Sequence, residues 1–232
     1  MKIGILDSGI GGLTVLEKLI RAGYSQSYIY LADNKNAPYG NKEKEMIKVL
    51  VYDGIKTLIA RGADVIILAC NTATSVAFHG IESCFSLPVF GIAPPLGKGE
   101  KPRALFATSA TVAQFENRAC GWDMIPLSLL ATLVDIDYRS AEIPRYLEKE
   151  LPTVDYKTAV LGCTHFPFVK DYFSRTYPNA LLTDGCETLL SNLSAFFDKI
   201  KGNPLVEIEF VFSGEDRTEY FFSALRFLLE KD

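Results

Sequence analysis

Short apolar runs alternate along the chain with segments of helical period. Lys2 to Leu6 is apolar and ends in Asp7-Ser8-Gly9-Ile10-Gly11-Gly12. Leu13, Leu16, Leu19 and Ile20 then recur at helical spacing, which reads as strand, glycine turn, helix. Tyr28 to Ala32 predicts a second strand, closed by Asp33, and Asn34 to Gly40 a loop punctuated by Pro38 and Gly40. An amphipathic helix is expected over 42–60, ended by Gly62. Asp64 to Ala69 is a continuous β-branched run fit for burial on both faces, and it leads into Cys70-Asn71-Thr72-Ala73, where a helix should begin. Pro88 to Ile92 predicts a strand before the Pro/Gly linker Ala93-Pro94-Pro95-Leu96-Gly97.

Past that linker the pattern restarts. Arg103 to Ala107 predicts a strand ending in Thr108-Ser109-Ala110-Thr111, and Trp122 to Leu127 a weaker one. A helix is expected over 143–150, and a buried strand, Thr158 to Leu161, runs into Gly162-Cys163-Thr164-His165. The pattern then gives a helix over 166–176 with Pro167 in its first turn, a strand over 180–182, a helix over 188–200, an edge-like strand over 207–212 and a last helix over 218–229. Strands alternating with helices predict an α/β fold with largely parallel sheets. Ala69-Cys70-Asn71-Thr72 and Gly162-Cys163-Thr164-His165 occupy the same place in two strand–Cys–helix units. The expected architecture is therefore two pseudo-symmetric α/β domains, 1–92 plus 185–232 and 93–184, with the active site in the cleft between them.

Composition narrows the function without changing that picture. The chain has 232 residues, 48% of them hydrophobic and 22% charged, which is the balance of a packed globular protein. Its net charge of −4, with no run of consecutive basic residues, disfavours a nucleic-acid partner. The longest apolar stretch, 65–81, is interrupted by Asn71, Thr72, Thr74, Ser75 and His79, so no membrane span is expected. The first residues are too short for a signal sequence, and the cytoplasm is the expected compartment. Five cysteines, an odd number without CxxC, argue against a disulfide framework and against a zinc site; no metal is expected.

The chemistry-bearing residues fall at the carboxyl ends of strands, where open α/β sheets bind ligands. These are Asp7-Ser8, Asp33, Cys70-Asn71-Thr72, Thr108 and Cys163-Thr164-His165. If the halves face each other, Cys70 and Cys163 meet across one cleft. Each precedes a predicted helix, whose N-terminus should lower a thiol pKa. Asn71, Thr72 and Thr164 supply donors for a small carboxylate, and Asp7 and His165 could orient the thiols or take their protons. Asp7 alone would also suit a helix cap. Cys84, Cys120 and Cys186 lack this context and read as structural. The glycine turn lacks the phosphate-loop lysine and the GxGxxG spacing.

At these residues the chain resembles the glutamate racemases, within the cofactor-independent aspartate/glutamate racemase superfamily. The matching segments are Asp7-Ser8-Gly9-Ile10-Gly11-Gly12-Leu13-Thr14-Val15-Leu16, Pro38-Tyr39-Gly40, Ala69-Cys70-Asn71-Thr72-Ala73 and Leu161-Gly162-Cys163-Thr164-His165-Phe166-Pro167. A weaker echo is Phe210-Val211-Phe212-Ser213-Gly214. The resemblance implies a two-base racemase without cofactors: Cys70 acting on D-glutamate with help from Asp7, and Cys163 acting on L-glutamate with help from His165. It implies that Ser8, Tyr39, Gly40, Asn71, Thr72, Thr108, Thr111 and Thr164 hold the substrate. It further implies a homodimer, and D-glutamate destined for peptidoglycan.

The chain departs from the family pattern in several places. Ala32-Asp33-Asn34-Lys35-Asn36-Ala37 precedes the Pro-Tyr-Gly, where Gly-Asp-Thr/Ser-Ala-Arg is usual, and Ala93-Pro94 stands for Glu-Pro. Pro126-Leu127, after which a glutamate is usual, is followed by Ser128-Leu129-Leu130, with no acid until Asp135. The stretch between Pro95 and Lys157 is also short. Two competing readings are a racemase of another acidic amino acid such as aspartate, and an amino-acid-binding relative without turnover. The DSGxGG and GCTHFP wording favours glutamate, and a mere binder has no need of both thiols, Asp7 and His165.

Overall fold

The computed structural model describes residues 1–24, 27–97, 99–196 and 206–231. The first sheet is built from β1 (Lys2–Asp7), β2 (Ser27–Ala32), β3 (Val65–Leu68), β4 (Val89–Gly91) and β9 (Glu207–Phe212), in the order β4-β3-β1-β2-β9. The second contains β5 (Arg103–Ala107), β6 (Asp123–Pro126), β7 (Thr158–Gly162) and β8 (Leu181–Thr183), in the order β6-β5-β7-β8. Every pairing is parallel, as the strand–helix alternation requires.

Register sets the positions of the site residues. Leu6 of β1 pairs with Leu68 of β3, so Ser8 and Cys70 leave the first sheet side by side. Ala107 of β5 pairs with Gly162 of β7, so Thr108 and Cys163 leave the second sheet side by side. Both pairs lie beyond the carboxyl ends of central strands, where neighbouring loops diverge and leave a crevice.

The helices are α1 (Leu13–Ala22), α2 (Lys44–Ala60), α3 (Asn71–Ile81), α4 (Ser109–Phe115), α5 (Ser128–Asp137), α6 (Glu142–Glu150), α7 (Lys170–Thr176), α8 (Cys186–Ser194) and α9 (Thr218–Glu230). Ile10, Leu13 and Leu16 share one core with Leu127, Leu130, Val134 and Phe166, so the two sheets are joined by apolar packing as well as by chain crossings. Each such side chain, removed from water, contributes about 1.5–3 kcal/mol. The chain crosses between sheets after β4 and again after β8. The crossings touch: a Cβ on Gly185 would lie 2.6 Å from Ile92 Cγ1 and meet the Ala93 backbone.

Several elements differ from expectation. The helix expected over 166–176 splits into a 3-10 turn, Phe166–Val169, and α7, at Val169, whose φ of −116° and ψ of 22° leave the α-helical region. The helix expected over 188–200 begins at Cys186 and is described to Ser194, and residues 197–200 lie outside the described residues. Helix α5 has no counterpart among the predicted elements. Its sequence, SLLATLVDID, mixes exposed Leu129 and Ile136 with the buried Leu130, Ala131 and Val134, which blurs its apolar face, and Leu127 gives it no side-chain cap.

Candidate active site

A cavity of about 180 Å3 opens between the two sheets, lined by both Cys70 and Cys163. That is below the roughly 300–1,000 Å3 of drug-sized sites and suits a small metabolite. Ser8, Tyr39, Gly40, Asn71, Thr72, Thr108, Thr164 and His165 also line it. Two expected site residues stand one layer behind. Thr111 is fully buried and bonds to the Thr108 and Thr72 hydroxyls at 3.1 and 3.3 Å. Asp7 is also fully buried; it accepts from the Gly9 N–H at 2.8 Å and from the Thr164 hydroxyl at 3.2 Å. Asp7 caps no helix, since α1 begins after Gly12.

The Cys70 side is built on the start of α3. Cys70 is the N-cap, and its Sγ accepts from the Ala73 N–H at 3.5 Å and lies 3.9 Å from Ser8 Oγ. The helix start was expected to lower this thiol, and the structure reverses that. Burial, and then the negative charge of Asp7, push Cys70 up to about 12, and the Ala73 N–H pulls the other way without winning. Cys70 is therefore a neutral thiol at ordinary pH, a proton donor in waiting.

The Cys163 side has the opposite character. Cys163 Sγ lies 3.7 Å from His165 Nδ1, and His165 Nε2 lies 3.2 Å from Asp135 Oδ1. Burial opposes a charge on the imidazole. Its hydrogen bonds to Asp135 and Cys163, together with their negative charge, outweigh that and hold its pKa well above the ordinary value. A doubly protonated ring donates from both nitrogens, one to the sulfur and one to the carboxylate. This arrangement sets an imidazole N–H against the Cys163 sulfur.

Sequence reading missed Asp135, which lines the cavity and pairs with His165. Burial alone would raise its pKa. Its hydrogen bond to His165 and the charge of that ring, then the Ile10 N–H and Arg217, hold it below the usual carboxylate range. The only signal available was that it is the first acid after Pro126-Leu127.

The polar lining between the thiols is prepared for a carboxylate. Asn71 Nδ2 is buried with no hydrogen-bond partner, although it lines the cavity. An unpaired buried amide is costly, and a ligand oxygen would relieve it. Thr72 and Thr108 share a 2.9 Å hydroxyl bond across the two sheets. Tyr39 donates to buried Asp33 at 2.6 Å, which fixes its ring at the cavity wall. Among the described residues no cluster of three or more His, Cys, Asp or Glu could hold a metal.

Asp7 gives a pH signature. Burial, against the pull of His165, raises it from 3.8 to about 6. Ionising it therefore costs more in the folded chain than in the unfolded one. The corresponding stability is complete below pH about 4 and is lost as pH rises through about 6, on the order of 3 kcal/mol in all. Urea unfolding of wild type and Asp7→Asn should show wild type losing ground to the variant between pH 4 and 7. A stability difference that stays flat over that range contradicts this account of Asp7.

Two thiols delivered to one cavity by two parallel sheets, one beside a carboxylate and one beside a protonated imidazole, define an acid–base site of the racemase class. No family model matches the chain. It is 36% identical to glutamate racemase 2 of Bacillus subtilis over 76% of this chain and 74% of that one. It is 33% identical to glutamate racemase of Campylobacter concisus over 94% and 92%. The fold matches the crystal structure of glutamate racemase from Campylobacter jejuni with a TM-score of 0.84, at 22% identity, covering all of both chains. It also matches the Thermus thermophilus glutamate racemase in complex with beta-chloro-D-alanine, with a TM-score of 0.81 at 27% identity, over 99% and 93%. The chain belongs to the glutamate racemase family.

Proposed function

We propose that this chain interconverts L- and D-glutamate by two-base proton transfer, with Cys70 and Cys163 as the acid–base pair. The observation that carries the reading is that both thiols line one small cavity, each brought there by a different sheet. From L-glutamate, the Cys163 thiolate takes the α-hydrogen as a proton, and the electron pair stays on the α-carbon and its carboxylate. Cys70 then gives its thiol proton to the other face. The cycle ends with Cys163 as thiol and Cys70 as thiolate, and D-glutamate reverses each step.

His165 holds the Cys163 thiolate, and Asp7 assists Cys70 by disfavouring its thiolate, which makes the thiol a readier proton donor. Ser8, Tyr39, Gly40, Asn71, Thr72, Thr108 and Thr164 hold the substrate, with Thr111 supporting Thr72 and Thr108 from behind. Acid–base transfer supplies only about 10²–10⁴-fold. Preorganised donors around the carboxylate and a dry cleft must supply the rest. The two domains, 1–92 plus 185–232 and 93–184, would close over substrate about Ala93 and Gly185. Neither metal nor cofactor enters the scheme. The enzyme would act in the cytoplasm as a homodimer, feeding D-glutamate to peptidoglycan synthesis. Among the described residues no helix is long and apolar enough to cross a membrane.

The direct test is α-deuterium exchange and racemisation of both glutamate enantiomers in heavy water, with aspartate as control and chelator present. Exchange and inversion of glutamate, unaffected by chelator, are expected; preference for aspartate would overturn the substrate assignment. Asn71→Leu should lower kcat/KM for glutamate about 10–100-fold, the worth of a hydrogen bond to a charged group. An unchanged value would remove Asn71 from the binding set.

A further inference from the structure

We infer that Arg217 is a positioning residue for the Cys163 half of the site. It reaches from the loop between β9 and α9 to Asp135 on α5 and fixes the carboxylate that orients His165. The inference rests on the two-thiol reading above and extends it to a residue outside the cavity.

Asp135 belongs to the second sheet's half of the chain, yet the first half grips it from two directions. The Ile10 N–H, in the glycine turn after β1, donates to Asp135 Oδ1 at 2.8 Å. Arg217 Nη1 reaches Asp135 Oδ2 at 3.3 Å, and its Nη2 donates to the Asp135 carbonyl at 2.9 Å. This two-point contact uses the planar fork of the guanidinium, which an ammonium cannot reproduce. The fork is itself held, since Arg217 lies over the Tyr220 ring at 4.4 Å and the Tyr220 hydroxyl accepts from the Tyr138 N–H at 3.4 Å.

A cation bridging two halves of a protein could be only a strut. What sets this one apart is what lies at its far end. Asp135 Oδ1 is also the partner of His165 Nε2, and His165 Nδ1 faces Cys163. The line from the first half to a reacting sulfur therefore runs through Arg217, Asp135 and His165. The charged and titratable groups around it are Asp7 on β1, Tyr30 on β2, Cys70 before α3, and Cys163, Asp135 and Arg217 themselves. When the halves separate, Asp135 loses both grips together, and His165, in the same half as Asp135, keeps a partner that is no longer anchored. The Cys163 base is thus anchored from the first half only when the halves are closed.

The experiment uses the full chain and its two histidines, of which His79, with a side chain 91% exposed, serves as an internal reference. Imidazole nitrogen resonances are followed against pH in wild type, Arg217→Met, Arg217→Lys and Asp135→Asn. The expected result is that His165 of wild type stays doubly protonated well above neutral pH. It should titrate at lower pH in all three variants, least in the lysine one. In parallel, kcat/KM for glutamate should fall roughly 10–100-fold, as for other small misplacements of a reacting group, with its alkaline limb displaced the same way. Activity lost in Arg217→Met with the His165 titration unmoved makes the residue a strut and overturns the inference, as does full restoration by lysine. The lysine variant keeps the cation and so answers even if the methionine variant unfolds. Variant-dependent His165 titration in a protein that does not turn over glutamate sustains the positioning role and removes the substrate reading instead.

Discussion

Cys70→Ala and Cys163→Ala each lose glutamate racemisation in both directions, by at least about 10²–10⁴-fold, the contribution of one positioned acid or base. The two variants differ in what they keep. With Cys70 gone, Cys163 and its imidazolium can still take and return the α-proton of L-glutamate, so any remaining deuterium exchange is confined to that enantiomer. With Cys163 gone, the remaining exchange is confined to D-glutamate. Proton NMR of the α-position in heavy water reads this directly. Cys84→Ala is the control, because Cys84 is exposed and takes no part in lining the cavity. Full racemisation by either active-site variant, or exchange in the opposite enantiomer, would show that the thiols are assigned wrongly.

Gly11→Ala is expected to cost about 10²-fold in kcat although it adds only a single methyl group. A Cβ at Gly11 would lie 2.5 Å from Thr164 Oγ1 and closer still to the His165 ring. Neither neighbour can retreat. The Thr164 carbonyl accepts from the Thr14 hydroxyl at 3.1 Å, and Asp135 holds the far side of the His165 ring. Gly9 is under the same constraint, since a Cβ there would collide with the Asp135 carboxylate. The methyl must wedge the two halves apart or push the imidazole off Cys163. Steady-state kinetics with a thermal-unfolding control separates the outcomes. A near-normal kcat in a folded variant would mean that the glycine turn is not pressed against His165 during turnover.

Much of this was legible in the residues because the relevant signals are local. Continuous apolar runs marked β1, β3, β5 and β7, since strands buried on both faces have no polar alternation to blur them. The Cys-Asn-Thr and Cys-Thr-His segments follow directly from two of those strands, so finding the strands also found the thiols. The polarity of Cys70 was not legible. Helix-start donors are visible in sequence, whereas complete burial beside Asp7 is a property of the packed chain, and burial won. Helix α5 escaped because exposed Leu129 and Ile136 blur the face that Leu130, Ala131 and Val134 bury and no capping side chain marks its start, and Asp135 escaped with it. Arg217 sits in a turn 82 residues from its partner, with nothing in its neighbourhood to mark it.

The unlike flanks of the two thiols, a carboxylate behind one and an imidazolium beside the other, have a thermodynamic corollary. Mirror-image amino acids have equal free energy in water, so no arrangement of charge around Cys70 and Cys163 can tilt the endpoint from an equal mixture. Any bias that the asymmetry imposes on turnover at saturation must be matched by an equal bias in KM in the same direction, so that kcat/KM is the same for both enantiomers. The unequal surroundings therefore determine which enantiomer the resting protein is ready to receive, while the final ratio of products stays at one.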